Sequence, residues 1–377
     1  MAQQHESGLG DSIYSRMGVR TVINARGATT AVGGTLIDPR VIEAMGEAAQ
    51  HFVDLEELNA RVGERIAEIT GAEAGYVTCG SCAAMVIAAA ACIAGMDPYR
   101  IRRLPDSSGM PNEIIIHRSH RIDYDQMYSV GGGKMVEIGN ALRTNEWELE
   151  SAINPLTAAV VYHDSPNVGP GALAFDAVVR IAHDHDIPVI VDAASTLPPV
   201  DHLRRWIRWG ADLVVYSGGK GIRGPQDSGM LAGRSDLIAA ARANGNPHPS
   251  VGRGMKVSKE AMVGLWTAID LFMQADHDAE FRNHQAQAHQ LCDVLSERAD
   301  VSCTINENWD EWPAPIVTAH PVGQAWTSGE IASKLMKSDP PIHCNDEHGG
   351  LMFNSHCLQD GDVDQILNRL TALLPPT

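Results

Sequence analysis

The chain has 377 residues, 44% hydrophobic and 20% charged, which is the composition of a globular protein with room for two domains. Its formal net charge of −18 disfavours non-specific binding to nucleic acid or to an anionic membrane. No run of about 18 apolar residues predicts a membrane span, and the N-terminal sequence lacks the pattern of a secretory signal. Seven scattered cysteines favour reduced thiols and a cytoplasmic location.

Helical and strand-like patterns alternate through the first two-thirds of the chain. Residues 56–71 predict an amphipathic helix that ends at Gly71, and residues 74–95 predict a strand, a turn of small residues and an alanine-rich helix. A further helix is predicted at 174–186, and further strands are predicted at 113–117, 134–139, 157–163, 187–195, 211–220 and 229–234. This alternation predicts an α/β fold with a mostly parallel central sheet covered by helices on both faces.

The pattern changes after about residue 255. Residues 259–300 are helical in pattern, and residues 361–374 predict a closing helix. Short strand-like stretches lie between them, at 314–320 and 349–355. We therefore expect a large domain over residues 50–255 and a smaller C-terminal α/β domain over residues 256–377, which the N-terminal segment 1–49 joins.

Two charged residues follow consecutive predicted strands. Ligands of such sheets bind at the carboxyl ends of the strands, where Asp192 and Lys220 lie. An unpaired buried carboxylate is costly, so Asp192 should have a cationic partner, and a purely structural ion pair with Lys220 is one interpretation. The glycines around Lys220 favour a ligand site instead, because we expect them to adopt positive φ and to let the backbone approach a bulky ligand; they are Gly218, Gly219, Gly221 and Gly224.

The stretch "TCGSC" (78–82) joins a predicted strand to a helix N-terminus. Amide groups at such a turn bind phosphate, so Gly80, Ser81 and Cys82 are candidate phosphate ligands with Ser217 assisting, although tight helix–sheet packing explains small residues equally well. A phosphate cradle, a buried aspartate and a buried lysine together predict pyridoxal 5′-phosphate. The lysine would form a Schiff base with the aldehyde, and the aspartate would keep the pyridine nitrogen protonated. His120 is the candidate ring that covers the pyridine face.

Two cysteine-containing stretches invite a metal or redox interpretation. Cys79 and Cys82 form a single C-x-x-C pair with no second pair at matching spacing. A second group of ligand-type residues has a spacing that fits no standard zinc pattern; it comprises His343, Cys344, His348, His356 and Cys357. We predict no metal site at either place.

The chain resembles fold-type I pyridoxal-phosphate enzymes, which are aspartate aminotransferase-like. More narrowly, it is similar to the family of L-seryl-tRNA(Sec) selenium transferase and D-glucosaminate-6-phosphate ammonia-lyase. The matching stretches, in family order, are "VINARGATTAVGG" (22–34), "GERIAEITGAEAGYVTCGSCAA" (63–84), "DAAS" (192–195), "SGGKGIRGPQDSGMLAGR" (217–234) and "GRGMKVSKE" (252–260). The resemblance implies that Lys220 is the Schiff-base lysine and Asp192 the pyridinium partner, with Ser195 among the cofactor-binding residues.

The resemblance implies an enzyme that acts on a small amino acid. We expect a lyase that performs α,β-elimination on a hydroxylated amino acid or amino sugar acid, and a racemase, an epimerase or an aldolase is the alternative. A catalytically dead pyridoxal-phosphate-binding protein is the non-enzyme alternative, which the intact Lys220 and Asp192 argue against. The transferase's tRNA-binding extension is not matched, so we expect no nucleic-acid partner. The acidic net charge and the lack of a long apolar run lead us to expect no membrane partner.

Three arginines are candidates for binding the substrate carboxylate, because a guanidinium pairs with a carboxylate in a bidentate manner. Arg26 and Arg253 flank glycines on predicted loops, and Arg223 stands where the family has an aliphatic residue. Fold-type I sites lie at subunit interfaces. We therefore expect a homodimer or a higher homo-oligomer.

Overall fold

The computed structural model describes residues 12–166 and 168–374. The strands, numbered in chain order, are β1 (Ile23–Asn24), β2 (Ala74–Thr78), β3 (Glu113–His117), β4 (Lys134–Ile138), β5 (Thr157–His163), β6 (Val189–Asp192), β7 (Leu213–Ser217), β8 (Gly229–Gly233), β9 (Val301–Asn306), β10 (Ile316–Pro321), β11 (Ile342–His343), β12 (Asn345–Glu347) and β13 (Gly350–Asn354). The α-helices are α1 (Ile13–Arg16), α2 (Pro39–Ala48), α3 (Leu55–Thr70), α4 (Ser81–Ala94), α5 (Pro98–Arg103), α6 (Gln126–Val130), α7 (Glu146–Ala152), α8 (Phe175–His183), α9 (His202–Arg208), α10 (Ser235–Asn244), α11 (Lys259–Gln274), α12 (His277–Ser296), α13 (Ser328–Met336) and α14 (Asp362–Leu373).

The chain forms two compact units. Gly34–His277 make up the larger unit, and the described residues before Gly34 and after His277 make up the smaller one. The domain boundaries predicted from the sequence, at residues 49/50 and 255/256, stay predictions, and part of the segment 1–49, residues 1–11, lies outside the described residues.

The larger unit contains a seven-stranded sheet with the order β2-β8-β7-β6-β5-β3-β4. Neighbouring strands from β7 to β4 are parallel, whereas β8 is antiparallel to both β7 and β2. Alternate strand residues enter two different cores: Val160 and Val214 belong to one, and Val161 and Val215 belong to the other. Helices cover both faces, which confirms the predicted α/β fold with a mostly parallel sheet.

The first two helices of the predicted large domain form for local reasons that the sequence shows. Asp54 accepts hydrogen bonds from the Glu56 and Glu57 amides and starts α3, and Gly71 ends it in the left-handed conformation with φ 72°. The alanine-rich stretch then forms α4, most of whose residues are buried. Within the part of the chain that the structure describes, no helix is long and apolar enough to cross a membrane.

The smaller unit contains a four-stranded antiparallel sheet with the order β12-β13-β10-β9 and a parallel pair of β1 with β11. Leu351 and Phe353 of β13 face the core of this unit, which α12, α13 and α14 help to build. The helical pattern at 259–300 forms two helices, α11 and α12, because the backbone turns extended at Ala275 (ψ 146°).

Candidate active site

The strands that lead to the predicted cofactor-binding residues end on one side of the sheet in the larger unit. β5, β6 and β7 are parallel and end at His163, Asp192 and Ser217. β2 runs in the same direction, since it is antiparallel to β8, which is itself antiparallel to β7. The carboxyl ends of these strands therefore meet at one edge, where ligands of open α/β sheets bind.

Two contacts fix the Asp192 side chain at the end of β6. Its side chain is 3% exposed, its Oδ1 accepts a hydrogen bond from the Ala194 amide at 3.1 Å, and its Oδ2 lies 3.2 Å from Nδ1 of His163. Burial alone would raise the pKa of the Asp192 carboxyl. The hydrogen bond and charge of His163, the Ala194 amide and the charge of Lys220 outweigh burial, so the pKa lies below its ordinary value. Asp192 is therefore a carboxylate with a fixed orientation that is ionised at neutral pH.

Lys220 lies three residues after β7 and is partly buried. Burial lowers the pKa of its amine, and the nearby charges of Asp192 and Cys82 oppose this only in part. A larger fraction of the amine is consequently neutral at physiological pH than for a surface lysine, and a neutral amine is the form that attacks a carbonyl or accepts a proton. Asp192 and Lys220 lie within electrostatic reach of each other, as the strand order predicts.

The glycines around Lys220 act differently from the prediction. None of Gly218, Gly219, Gly221 and Gly224 has a positive φ; among the described residues of this loop, only Arg223 does, at 56°. They are required by close approach to the protein's own backbone and side chains. A Cβ on Gly221 would lie 2.1 Å from the Leu197 carbonyl oxygen, and one on Gly218 would lie 2.2 Å from Ser228 Oγ. The loop is further fixed by Thr35 Oγ1, which donates to the Lys220 carbonyl at 3.1 Å.

The turn before α4 is open to a ligand. Gly80 is the N-cap residue with φ 99°, no side chain caps the helix, and a Cβ at Gly80 would meet nothing within 4 Å. The first amide groups of α4, from Ser81 and Cys82 onward, have no acceptor within the helix and lie at the positive end of its dipole. Ser217 and Thr78 both pair with Gly229 of β8, which brings the end of β7 close to this turn.

Cys82 links the turn to the charged pair. Its side chain is exposed, and partial burial of the sulfur raises the pKa of its thiol, which the charges of Asp192 (raising) and Lys220 (lowering) also affect. All seven cysteines of the chain are free thiols. Among the described residues, no group of three or more His, Cys, Asp or Glu side chains is placed to hold a metal ion.

His120 is connected to Asp192 through His163, which contacts both residues. It is 3% exposed, and its Nδ1 accepts a hydrogen bond from the His163 amide at 3.2 Å. Its ring packs edge-on against Tyr162, with centroids 4.6 Å apart, and tilted against His117 at 5.4 Å. Burial lowers the pKa of His120 to about 3, so the ring is neutral. Its role over the pyridine ring stays a prediction.

The remaining predicted residues are dispersed. Ser195 is half-buried in the turn after Asp192, and Arg223 is half-buried in the lysine loop. Arg253 is exposed and donates to Asn246 Oδ1 at 3.3 Å. Arg26 belongs to the smaller unit, where its Nε donates to Asn345 Oδ1 at 2.7 Å.

Sequence reasoning missed His163. Its imidazole contacts Asp192, and its backbone amide contacts His120, so it joins two predicted site residues. A signal was available: His163 is the last residue of a predicted strand adjacent to the strand that ends at Asp192, and the two residues are register partners. In parallel sheets, such partners point to the same face.

The donor set matches the functional groups of pyridoxal phosphate. A buried, ionised carboxylate suits a protonated ring nitrogen, an amine of lowered pKa suits an aldehyde, and the uncapped amides of α4 suit a phosphate. Asp192, Lys220 and the turn Gly80–Cys82 are the residues that would hold these three groups.

Comparison with known proteins identifies the family. The family model described as SelA, L-seryl-tRNA selenium transferase, matches residues 22–299. The chain belongs to this family. It is a pyridoxal-phosphate-dependent enzyme, as the resemblance in its motifs predicts.

Curated relatives above 30% identity include proteins with two different names. D-Glucosaminate-6-phosphate ammonia lyase from Salmonella typhimurium is 38% identical over 295 residues, which are 77% of this chain and 78% of the relative. 5'-C-glycyluridine monooxygenase-decarboxylase from a Streptomyces species is 34% identical over 373 residues, which are 96% of this chain and 92% of the relative.

Solved structures support the fold class. A structure of D-glucosaminate-6-phosphate ammonia-lyase has a TM-score of 0.83 and 31% identity, and the match covers 96% of this chain and 98% of that one. Aspartate aminotransferase from Thermus thermophilus, at 15% identity, 96% and 93% coverage and a TM-score of 0.57, is similar in fold only. The SelA-family chain therefore has the aspartate aminotransferase-like fold that was predicted.

Proposed function

We propose that the protein is a lyase that removes ammonia by α,β-elimination from a hydroxylated amino acid or amino sugar acid. The observation that carries the proposal is that Lys220, whose amine has a lowered pKa, lies within electrostatic reach of the buried carboxylate of Asp192. The 38% identity to an ammonia lyase supports elimination as the reaction.

Each residue then has a defined task. Pyridoxal phosphate, when bound, supplies an electron sink for negative charge at the substrate α-carbon. Asp192 keeps the ring nitrogen protonated, and the His163 imidazole keeps Asp192 ionised and oriented. The amides of Gly80–Cys82 and the Ser217 hydroxyl bind the phosphate. Lys220 Nζ accepts the α-proton, for which its lowered pKa suits it.

The net reaction neither consumes nor releases water. Removal of the α-proton and departure of the β-hydroxyl release one water molecule, and hydrolysis of the resulting enamine consumes one. The products are a 2-oxo acid and ammonia. The substrate carboxylate requires a cation, and we assign this role to one of Arg26, Arg223 and Arg253.

The test is to incubate the holoenzyme with hydroxylated amino acids and amino sugar acids, with and without a phosphate group, and to measure ammonia and 2-oxo acid. We expect equal amounts of both products, and none with Lys220→Ala. Epimerised substrate without ammonia would indicate a racemase or epimerase, and an aldehyde product would indicate an aldolase; either result would overturn the elimination.

A second candidate is oxidative decarboxylation. The observation that favours it is the relative described as a monooxygenase-decarboxylase, which matches 96% of this chain at 34% identity, whereas the ammonia lyase matches 77%. The same incubations distinguish the two reactions, because the oxidative one consumes dioxygen and releases carbon dioxide. Elimination proceeds unchanged without oxygen.

We further propose a homo-oligomer with sites at the subunit interface, in a cytoplasmic protein. The segment between residues 36 and 53 of the larger unit exposes large apolar side chains, including Phe52, which is fully exposed, and Leu36 at 71%. Such clustering of exposed apolar side chains is typical of an interface. Light scattering of the holoenzyme measures its oligomeric state, and a monomer would contradict the proposal. Location is tested by cell fractionation, and recovery outside the cytoplasm would contradict it.

A further inference from the structure

Arg26, in the smaller unit, has no carboxylate partner among the described residues. It follows the short strand β1 and is half-buried. Its Nε donates to Asn345 Oδ1 at 2.7 Å, and among the described residues no acidic side chain lies within ion-pair distance of it. A partly buried guanidinium with only a neutral amide as partner has unused donors and an uncompensated charge.

The backbone around Arg26 is fixed in place. Its amide donates to Asn24 Oδ1 at 3.0 Å, and the Asn354 amide donates to the Ala25 carbonyl at 2.9 Å. Gly27 approaches Asn354 so closely that a Cβ there would lie 2.6 Å from the Asn354 amide nitrogen. The backbone at Arg26 is therefore fixed against the end of β13 and is not part of a free loop.

The side chains near Arg26 lie on the face of the sheet that is opposite the core. Asn345 is the register partner of Met352, and Met352 alternates with the core residues Leu351 and Phe353. Partners in adjacent strands share a face, so Asn345 points away from the core. The neighbouring acid, Asp346, points to the other face, since its Oδ2 lies 2.9 Å from where a Cβ of Gly329 in α13 would be. The strand thus keeps that acid away from Arg26.

A second basic side chain lies close to Arg26. His343, the partner of Asn24 in the β1–β11 pair, has a pKa lowered first by burial and then by the charge of Arg26. The Ala25 amide donates to the His343 carbonyl at 2.9 Å, which holds the two segments together. Two repelling basic groups and an amide, with no paired acid, have the chemistry of an anion site.

We propose that Arg26, His343 and Asn345 form an oxyanion-binding site on the polar face of the smaller unit. The guanidinium supplies a charged donor pair, and the imidazole and the amide supply further donors. The oxyanion is a carboxylate or phosphate group of a small acidic ligand.

The test measures binding without turnover. The holoenzyme, whose phosphate turn is occupied by its cofactor, is titrated calorimetrically with inorganic phosphate and, separately, with acetate. Arg26→Gln should weaken binding of the preferred anion by about tenfold or more, and Arg26→Lys should weaken it less, because charge is kept while the paired donors are lost. Tighter binding of phosphate indicates that the site takes a phosphate group, and tighter binding of acetate indicates that it takes a carboxylate.

The matched control is Arg20→Gln in the same unit, where the exposed guanidinium donates to the Ser338 carbonyl at 3.3 Å and, within the described ranges, to no other group. This control should bind the anion as the wild type does. Unchanged binding in Arg26→Gln, or equal loss in Arg20→Gln, would overturn the site. Loss of binding in Arg26→Gln in a protein that releases no ammonia would leave the site intact and reject the elimination instead.

Discussion

Two buried imidazoles, His117 and His120, lie beside the candidate site with pKa values far below those of ordinary histidines. Burial lowers the pKa of His117 to about 4, and neither of its ring nitrogens has a hydrogen-bond partner in the described chain. The folded protein therefore holds a neutral His117 at pH values where the unfolded chain, with a pKa near 6.5, is already protonated. The stabilising effect is fully present above about pH 6.5 and is lost as pH falls towards about 4.

This state of His117 predicts a specific acid sensitivity. The free energy of unfolding should fall by up to about 3 kcal/mol between about pH 6.5 and about pH 4 because of this residue alone. In His117→Leu, which has no proton to take up, that part of the decrease should be missing. Urea unfolding across this pH range measures it. The same slope in wild type and variant would contradict the account.

Several site residues could be predicted from the sequence for sound physical reasons, whereas features that depend on contacts between distant residues could not. Asp192 and Lys220 were predicted from where buried strands end, and the structure places them within electrostatic reach of each other. The positive φ expected of the loop glycines was wrong, and Gly221 and Gly218 instead lie close to Leu197 and Ser228. Such contacts join residues distant in the chain, so composition alone could not reveal them.

Close contact between α3 and β2 supports the turn that precedes α4. A Cβ on Gly63 of α3 would lie 2.2 Å from the Gly75 carbonyl oxygen of β2. We expect Gly63→Ala to destabilise the protein by about 1–3 kcal/mol, because the helix must move away from the strand. The shift should also weaken cofactor binding, because β2 leads into the phosphate turn.

Gly46 of α2 is the matched control for Gly63. It is exposed, and a Cβ there would meet nothing within 4 Å. Gly46→Ala should stabilise the protein by about 0.5–1 kcal/mol through helix propensity. Thermal unfolding of the two variants gives the comparison, and a similar loss in both would show that the α3–β2 contact has no special role.

Most strands of the sheet could be predicted from the sequence, because buried parallel strands are continuous apolar runs. The predicted strands at 113–117 and 157–163 match β3 and β5 residue for residue. Short elements such as α5, α6 and β11 were not predicted, since so few residues give no measurable period. The order of the strands, which places His163 beside Asp192, also depends on tertiary contacts that no local pattern contains.

At the scale of the whole molecule, family membership and chain chemistry agree. The motifs between residues 22 and 260 predicted the family, and the family model covers 22–299. Relatives above 30% identity include two whose names describe different reactions, so family membership establishes the cofactor but not the reaction. The division between elimination and oxidation depends on the groups around the substrate.

Lys220 is the residue to which we propose that the cofactor attaches. Reduction of the holoenzyme with borohydride, followed by proteolysis and mass spectrometry, fixes the cofactor on the lysine that carries it. We predict that the pyridoxyl group is found on Lys220 and that Lys220→Ala carries none, while Lys259→Ala, a variant of a lysine that contacts Glu260 and the Ala48 carbonyl, is labelled as the wild type is. A pyridoxyl group on any other lysine, or its persistence in Lys220→Ala, would contradict the account.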